Sequence, residues 1–225
     1  MRCLKIGCII TLLLCGFFAN VYAKATLSWK YDGTIRSGKT AKKLELQNIH
    51  DGILLKDGVI VIGYKIDKDG INIPTAAWVR NDLQTVKYWT YQNDLKQVFR
   101  YGNDVFLVDS NGDALKFVNE DWQKSDIKLK PKSIAIPLGN DIIGCFPSAL
   151  LMTSPEIGEC YSIKNGWKRT LNWIAVKPAM CNGNLAVLEK RDEQHLLQTI
   201  DVHSGSVIHS KLVKPNTALC NRKSN

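Results

Sequence analysis

Gly102-Asn103-Asp104-Val105-Phe106 places a tight turn directly before an apolar strand, and this arrangement decides the fold because it recurs along the chain. The other copies are Asp57-Gly58-Val59-Ile60-Val61, Gly139-Asn140-Asp141-Ile142-Ile143 and Asn182-Gly183-Asn184-Leu185-Ala186. Their glycines follow one another at steps of 44, 37 and 44 residues. A repeated unit of about 40 residues, built from short strands, indicates an array of similar small sheets that bury one another's faces.

Two further features follow nearly the same period. A second turn reads Ile66-Asp67-Lys68-Asp69-Gly70, Val108-Asp109-Ser110-Asn111-Gly112 and Ile200-Asp201-Val202-His203-Ser204-Gly205, with Ser162-Ile163-Lys164-Asn165-Gly166 as a degenerate copy. Three tryptophans, Trp78, Trp122 and Trp167, lie 44 and 45 residues apart. The turns and the tryptophans therefore support the same repeat.

Short apolar or alternating runs between the turns predict β-strands, since a half-buried strand has a period of two. The predicted strands are Leu27–Tyr31, Val59–Ile66, Val86–Tyr91, Val105–Val108, Ala114–Val118, Ile134–Leu138, Ile142–Phe146, Glu159–Ile163, Leu171–Val176, Leu185–Glu189, Leu196–Ile200 and Val207–Leu212. Thr40–His50 is the best helix candidate. The sequence therefore predicts an all-β fold.

The repeated units resemble blades of the β-propeller superfamily, and their Gly turns resemble those of quinoprotein-like and kelch-like repeats. The resemblance extends from Asp57 to about Leu212. It implies a small β-propeller, with five blades of antiparallel strands and the terminal strands sharing one blade to close the ring. A β-sandwich or another irregular all-β fold is the alternative.

The first 23 residues are predicted to be a signal peptide. Arg2 and Lys5 precede the short apolar run Ile9–Phe18, and Val21-Tyr22-Ala23 has residues small enough at the positions that determine cleavage after Ala23. An uncleaved anchor is the alternative, although the run is shorter than the roughly 20 residues that a membrane span needs. Residues 24–225 then form a single domain, secreted or periplasmic, with no membrane span.

Cleavage would leave four of the seven cysteines, and an even number in an exported chain predicts disulfides. We expect Cys145–Cys160 and Cys181–Cys220 because these pairings close the shorter loops. Four free thiols are the alternative. A zinc site is disfavoured, because the chain has no Cys-x-x-Cys or paired-histidine spacing.

Composition narrows the function classes without naming a ligand. The 225 residues are 45% hydrophobic and 23% charged, which excludes general disorder and a collagen-like repeat. The formal net charge of +9 permits acidic partners. Nucleic acid is not expected as a partner, because the chain is predicted to be exported.

The segment Gly33-Thr34-Ile35-Arg36-Ser37-Gly38-Lys39-Thr40 matches the phosphate-loop pattern, in which backbone amides and a lysine hold phosphates. Its context argues against nucleotide binding. The preceding run alternates instead of being continuously apolar, and no βαβ unit follows. We expect a polar loop that contains glycine.

Acids in the Gly turns have two interpretations. Asp67, Asp69, Asp109, Asp113 and Asp201 can ligate Ca²⁺ or act as paired catalytic carboxylates, but such acids more commonly accept hydrogen bonds from their own turn. Because they recur with the repeat, the turn role is favoured. The four histidines have no nucleophile motif beside them, and a surface or turn role is favoured over a metal site. No set of residues specifies a cofactor pocket, so no cofactor is expected.

A recurring aromatic–basic pairing is the candidate binding feature. It comprises Trp78 with Arg80, Trp122 with Lys124, and Trp167 with Lys168 and Arg169. If the units are blades, equivalent positions gather in one region and form a surface for an acidic protein, a sugar or a phosphate-rich partner. The other interpretation is that each tryptophan packs between blades.

The sequence therefore predicts an exported, non-enzymatic binding protein for a protein or an envelope component, with an inhibitor or an immunity-type antagonist as an example. The first alternative is a secreted hydrolase that acts on glycans through turn carboxylates. A phosphate-loop nucleotide binder is the second alternative.

Overall fold

A computed structural model describes residues 27–146, 150–151, 154–155, 158–174, 177–191 and 193–220. This part of the chain is all-β, and its elements are 22 strands. The predicted signal peptide, residues 1–23, lies outside the described residues. Across the described ranges, no helix has the length and apolar character that a membrane crossing requires.

Five antiparallel sheets follow one another in chain order. The first contains β1 (Leu27–Trp29), β2 (Thr34–Ser37) and β3 (Thr40–Lys43). The second contains β4 (Gln47–Leu54), β5 (Gly58–Ile66), β6 (Asn72–Arg80) and β7 (Val86–Thr90). The third contains β8 (Leu95–Tyr101), β9 (Asp104–Asp109), β10 (Asp113–Val118) and β11 (Asp121–Lys128).

The last two sheets are less regular. The fourth contains β12 (Ile134–Leu138), β13 (Asp141–Phe146), β16 (Gly158–Ser162) and β17 (Lys168–Leu171), while β14 (Leu150–Leu151) and β15 (Ser154–Pro155) form a separate hairpin. The fifth contains β18 (Trp173–Ile174), β19 (Ala179–Cys181), β20 (Asn184–Arg191), β21 (Gln194–Ile200) and β22 (Val207–Val213). Both β18 and β19 pair with β20.

The central strands of the second, third and fourth sheets are apolar on both faces because each of these sheets packs between two neighbours. In β5, Val59 and Val61 pack towards the first sheet, and Ile60 and Ile62 pack towards the third. Further clusters of buried side chains join the third sheet to the fourth and the fourth to the fifth. Burial of both faces is what a propeller blade requires.

Polar side chains also tie the first strands of successive sheets together. Asp51 Oδ2 in β4 accepts a hydrogen bond from the Val98 amide in β8 at 2.9 Å. The Gln97 side chain exchanges two hydrogen bonds, of 2.7 and 2.9 Å, with the backbone of Ala135 in β12. These bonds satisfy buried polar groups and fix the offset between neighbouring sheets.

The structure confirms the predicted small β-propeller with five antiparallel blades and departs from the sequence-based prediction in two details. The helix predicted over Thr40–His50 is wrong, because this segment contains β3 and the start of β4. Shared terminal strands were also expected. Among the described residues, the first sheet is built from residues 27–43 alone.

The four predicted cysteines lie in two pairs at disulfide distance. Cys145 and Cys160 are direct neighbours across β13 and β16, with their Cα atoms 4.2 Å apart, and both are fully buried. Cys181 and Cys220 have their Cα atoms 5.5 Å apart and hold the end of the described chain against β19. Such pairs are typical of an oxidising, extracytoplasmic compartment.

Candidate functional site

An open groove of about 600 Å³ lies between the first sheet and the start of the second. We call it the sheet 1–2 groove. Its lining is Tyr31, Asp32, Lys43, Leu44, Glu45, Leu46, Gln47, Asn48, Lys65 and Ile66. This volume falls within the range of ordinary ligand-binding clefts.

Gly33 shapes one wall of the groove. Its amide donates to Lys30 O at 3.1 Å, which closes the turn that carries Tyr31 and Asp32. The φ of Gly33 is +90°, and a Cβ there would lie 2.0 Å from Leu46 O. Only glycine fits such a position, so Gly33 lets the turn approach the opposite wall closely.

Backbone hydrogen bonds hold that turn against the segment leading into β4. Leu44 N donates to Gly33 O at 2.9 Å, and Ile49 N donates to Tyr31 O at 3.0 Å. The buried side chains of Leu44 and Leu46 anchor the segment in the core, whereas the alternate residue Glu45 remains exposed. The groove is therefore held by backbone and core contacts, which leave its polar side chains available.

The groove carries charges of both signs in close pairs. Lys65 Nζ lies 2.5 Å from Glu45 Oε2, and Lys43 Nζ lies 3.7 Å from Asp32 Oδ2. The hydrogen bond from Lys65, together with its charge, lowers the pKa of Glu45, and the same contact raises the pKa of Lys65. The pKa of Asp32 is lowered chiefly by a hydrogen bond from the Thr34 amide.

Two apolar side chains flank these ion pairs. Tyr31 is 65% exposed and Ile66 is 42% exposed, which is high for residues of their size. The Lys65 ammonium also lies 5.7 Å from the centre of the Tyr88 ring. An exposed aromatic ring and an aliphatic chain beside paired charges can contact a ligand that has both apolar and polar groups.

The Glu45 carboxyl should titrate below its ordinary pKa of 4.5, because Lys65 stabilises its charged form. The ion pair then favours the folded state above pH 4.5, and this contribution is lost as the pH falls through the lowered pKa. Replacing Lys65 with methionine should return the carboxyl pKa towards 4.5, as followed by NMR. Lys116→Met, which removes the partner of Asp104, is the matched control. An unchanged Glu45 titration in Lys65→Met would contradict the pairing.

Trp78 and Trp122 belong to the same core cluster, where both contact Phe117. Trp78 is 1% exposed and Trp122 is half-buried, and their rings lie 6.0 and 5.0 Å from the ring of Phe117. Arg80 lies 5.3 Å from the centre of the Trp78 ring and 3.6 Å from the carboxylate of Glu120. Lys124 is exposed. This part of the predicted surface thus consists of a core aromatic cluster with charged residues at its rim.

Trp167 lies elsewhere, between the fourth and fifth sheets. Its Nε1 donates to Val202 O at 2.6 Å, while Arg169 donates to Gly205 O at 3.2 Å. Lys168 lies 2.5 Å from the buried carboxylate of Glu159. The structure does not bring Trp167 to the cluster of Trp78 and Trp122, because the three tryptophans occupy different places in their sheets. The predicted role of these residues in binding stays a prediction.

The turn acids accept hydrogen bonds from their own turns. Asp67 Oδ1 accepts from the amides of Asp69 and Ile71, at 2.9 and 2.8 Å, and Asp109 Oδ1 accepts from two amides of its turn. Asp201 Oδ1 accepts from the amides of His203 and Ser204. The three turns belong to three different sheets. Within the residues that the structure describes, no group of three or more His, Cys, Asp or Glu side chains could hold a metal ion.

The phosphate-loop match has a different structure from a phosphate-binding loop. Residues 34–37 and 40–43 form the hairpin of β2 and β3, in which Ser37 pairs with Thr40 across the turn at Gly38 and Lys39. A phosphate loop instead connects a strand to the first turn of a helix. The expectation of a polar loop is also wrong, since most of the segment is paired strand.

The signals for the sheet 1–2 groove are spread along the sequence, and our sequence analysis did not find them. Its lining comes from a turn, from the segment before β4 and from the end of β5. Tyr31-Asp32-Gly33 carries the clearest signal, because an Asp-Gly pair often marks a tight turn. The phosphate-loop match beginning at Gly33 suggested nucleotide binding, but the segment forms the β2–β3 hairpin.

Comparison with known proteins identifies similar folds but no related sequence family. No protein-family model matches the chain, and no curated protein matches it in sequence. Among solved structures, it is similar to BamB from Moraxella catarrhalis, with 8% identity and a TM-score of 0.52 over 84% of this chain. That match spans 61% of the BamB chain, less than two thirds of its length.

Two other structures are also similar. One is a putative oxidoreductase (glucose dehydrogenase) from Thermus thermophilus, with 10% identity and a TM-score of 0.53, covering 84% of this chain and 80% of that chain. The other is a putative 6-phosphogluconolactonase from Bacteroides uniformis, with 12% identity and a TM-score of 0.47, covering 83% and 64% of the two chains. At this level of identity, the comparisons show a β-propeller fold alone.

Proposed function

We propose that this protein is an exported, non-enzymatic binding protein, and that the sheet 1–2 groove receives an extended segment of a partner protein. The observation that carries this proposal is the combination of exposed Tyr31 and Ile66 with the two ion pairs of the groove. Protein interfaces are enriched in tyrosine, and they combine apolar contact with hydrogen bonds. A rigid backbone frame around the groove reduces the ordering cost of binding.

The carboxylates of the groove support binding over glycan hydrolysis. A glycosidase needs a carboxylic acid with a raised pKa to protonate the leaving group. In the groove, the pKa values of Asp32 and Glu45 are both lowered, and each carboxylate lies beside a lysine. Three of the turn acids that motivated the hydrolase prediction are occupied by backbone amides.

Export of the protein is supported by sequence and structure together. Residues 1–23 have the pattern of a signal peptide, and the four cysteines that follow lie in two pairs at disulfide distance. We therefore propose a secreted or periplasmic location and a single folded domain over residues 24–225. Exposed Lys124 and Lys168 of the aromatic–basic set are proposed as additional contacts for an acidic region of the partner.

The test is capture of a partner from the extracytoplasmic fraction of the source organism. Lys65→Ala/Ile66→Ala alters the groove, and Lys211→Ala/Leu212→Ala is the matched control, since it removes a similar exposed pair from β22. We expect the groove variant to lose at least about tenfold of the captured partner, equivalent to about 1.4 kcal/mol. The control should retain it.

A photoreactive residue at position 31 then locates the contact, because a ligand in the groove must pass beside this side chain. We expect a cross-link to the same partner from position 31 and none from position 212. Equal capture by both double variants would contradict binding in the groove. Turnover of a glycan by the purified protein would contradict the non-enzymatic role.

A further inference from the structure

The outer face of the first sheet is polar and exposed. Strand alternation directs Leu27, Trp29 and Ile35 towards the second sheet, where they pack in the shared core. The cross-strand neighbours Ser28, Arg36 and Ala41 share the opposite face and are exposed. Among the described residues, no core cluster covers this face, whereas the second, third and fourth sheets contribute to clusters on both sides.

Positive charge dominates this outer face. Lys30, Arg36 and Lys43 share it, and Lys39 stands at the tip of the β2–β3 hairpin. We call these four residues the basic face. The acid within the same strands and turns is Asp32, and it is already engaged by Lys43. Lys43 Nζ lies 3.7 Å from Asp32 Oδ2, and the Lys30 carbonyl closes the turn that carries Asp32.

The type of basic residue narrows the class of partner. Three of the four cations are lysines, whose flexible ammonium groups act as point charges and lack the planar, two-pronged geometry of arginine. The centre of the face holds the small side chains Ser28, Thr34 and Ala41, so it offers no apolar anchor for a protein partner. A flat array of flexible ammonium groups suits a diffuse layer of negative charge, such as the headgroups of anionic lipids.

The position of this sheet in the chain also brings it close to a membrane surface during export. Eight residues separate the apolar run Ile9–Phe18 from Leu27, the first residue of β1. A fully extended chain of this length spans at most about 30 Å. While the run lies in the bilayer during export, before cleavage, the first sheet is therefore held within about 30 Å of the lipid headgroups.

We propose that the basic face of the first sheet docks the protein peripherally on a membrane surface rich in anionic lipid. Each lysine or arginine near such a surface strengthens binding by about fivefold. The contact is electrostatic, so it weakens as salt shortens the screening length from about 10 Å at 0.1 M to 3 Å at 1 M. The sheet 1–2 groove opens beside this face and shares Lys43 with it.

The test measures cosedimentation of the purified exported protein with lipid vesicles. One set contains phosphatidylglycerol and phosphatidylcholine in equal amounts, and the other contains phosphatidylcholine alone. Arg36→Glu/Lys39→Glu reverses two charges of the basic face. Lys164→Glu/Lys211→Glu makes the same change in net charge at exposed positions of the fourth and fifth sheets, and therefore serves as the matched control.

We expect binding to the anionic vesicles alone, reduced by salt. Arg36→Glu/Lys39→Glu should weaken it by at least about 25-fold, and the control should weaken it by less than about fivefold. Lack of preference for anionic vesicles would overturn the proposal, as would equal losses in the two double variants. A face that serves an acidic protein instead would give no vesicle binding, which also overturns the proposal. The groove variant Lys65→Ala/Ile66→Ala should bind vesicles normally, so this test is separate from that of partner binding.

Discussion

Replacing Trp78 with alanine is expected to lower the free energy of unfolding by about 3–5 kcal/mol, the usual cost of deleting a buried tryptophan. Trp78 is 1% exposed and fills the space between the second and third sheets. Its removal leaves the Phe117 ring without one aromatic neighbour and Arg80 without the ring beneath it. Urea denaturation followed by circular dichroism measures the loss.

Trp78→Phe is the control for this prediction. Within the described part of the chain, Trp78 Nε1 is buried without a hydrogen-bond partner, so phenylalanine keeps a ring and removes an unsatisfied donor. We expect its cost to be less than half that of alanine. A loss below about 1 kcal/mol in Trp78→Ala would instead indicate that the ring contributes little to the core.

Cys145→Ala/Cys160→Ala is expected to lose about 3 kcal/mol of stability, because this pair closes a 15-residue separation in the unfolded chain. Both side chains are fully buried between the fourth and fifth sheets. The midpoint of urea unfolding under oxidising conditions gives the value.

Cys181→Ala/Cys220→Ala is the companion variant, since it keeps the buried pair. Adding a reductant to this companion should reproduce the loss of about 3 kcal/mol seen for Cys145→Ala/Cys160→Ala. If neither the substitution nor the reductant changes the midpoint, the two sulfur atoms are not bonded in the folded protein.

The sequence predicts well several strands that consist mainly of apolar residues. Val59–Ile66 is observed as Gly58–Ile66, and Ile134–Leu138 is observed with the same bounds. Their continuous apolar side chains and flanking Gly turns make the pattern clear. One of the strands that the sequence missed, Asn72–Arg80, contains Pro74, Ala76 and Ala77, which have low intrinsic β-propensity. Its two buried faces come from tertiary packing.

The wrong helix over Thr40–His50 has a similar physical cause. Ala41, Lys42 and Lys43 have high helix propensity, and two leucines and a glutamate follow them. Leu44 and Leu46 are both buried on the same side of an extended segment, which the alternation of a strand allows. Core burial of these two leucines outweighs the local preference for a helix.

The candidate site was less predictable than the fold because it depends on approaches between distant segments. Lys65 and Glu45 pair across 20 residues of sequence, and the amide of Glu45 donates to the hydroxyl group of Tyr88, which lies 43 residues away. The tryptophan spacing suggested equivalent blade positions, but Trp78 lies in β6 and Trp122 lies in β11. A spacing near the repeat length therefore does not ensure a common position when the loops differ in length.

Each of the five sheets is built from strands that follow one another in the chain, and only the β14–β15 hairpin interrupts the fourth sheet among the described residues. All its pairing partners are therefore present once its own last strand has been synthesised or translocated, and it need not wait for the distant end of the protein. Contacts that are local in sequence favour rapid folding. Cys145 and Cys160 can meet at this early stage, whereas Cys181 must wait for Cys220 near the end of the chain. The second cysteine pair can therefore form only after the strands of the five described sheets have all been made.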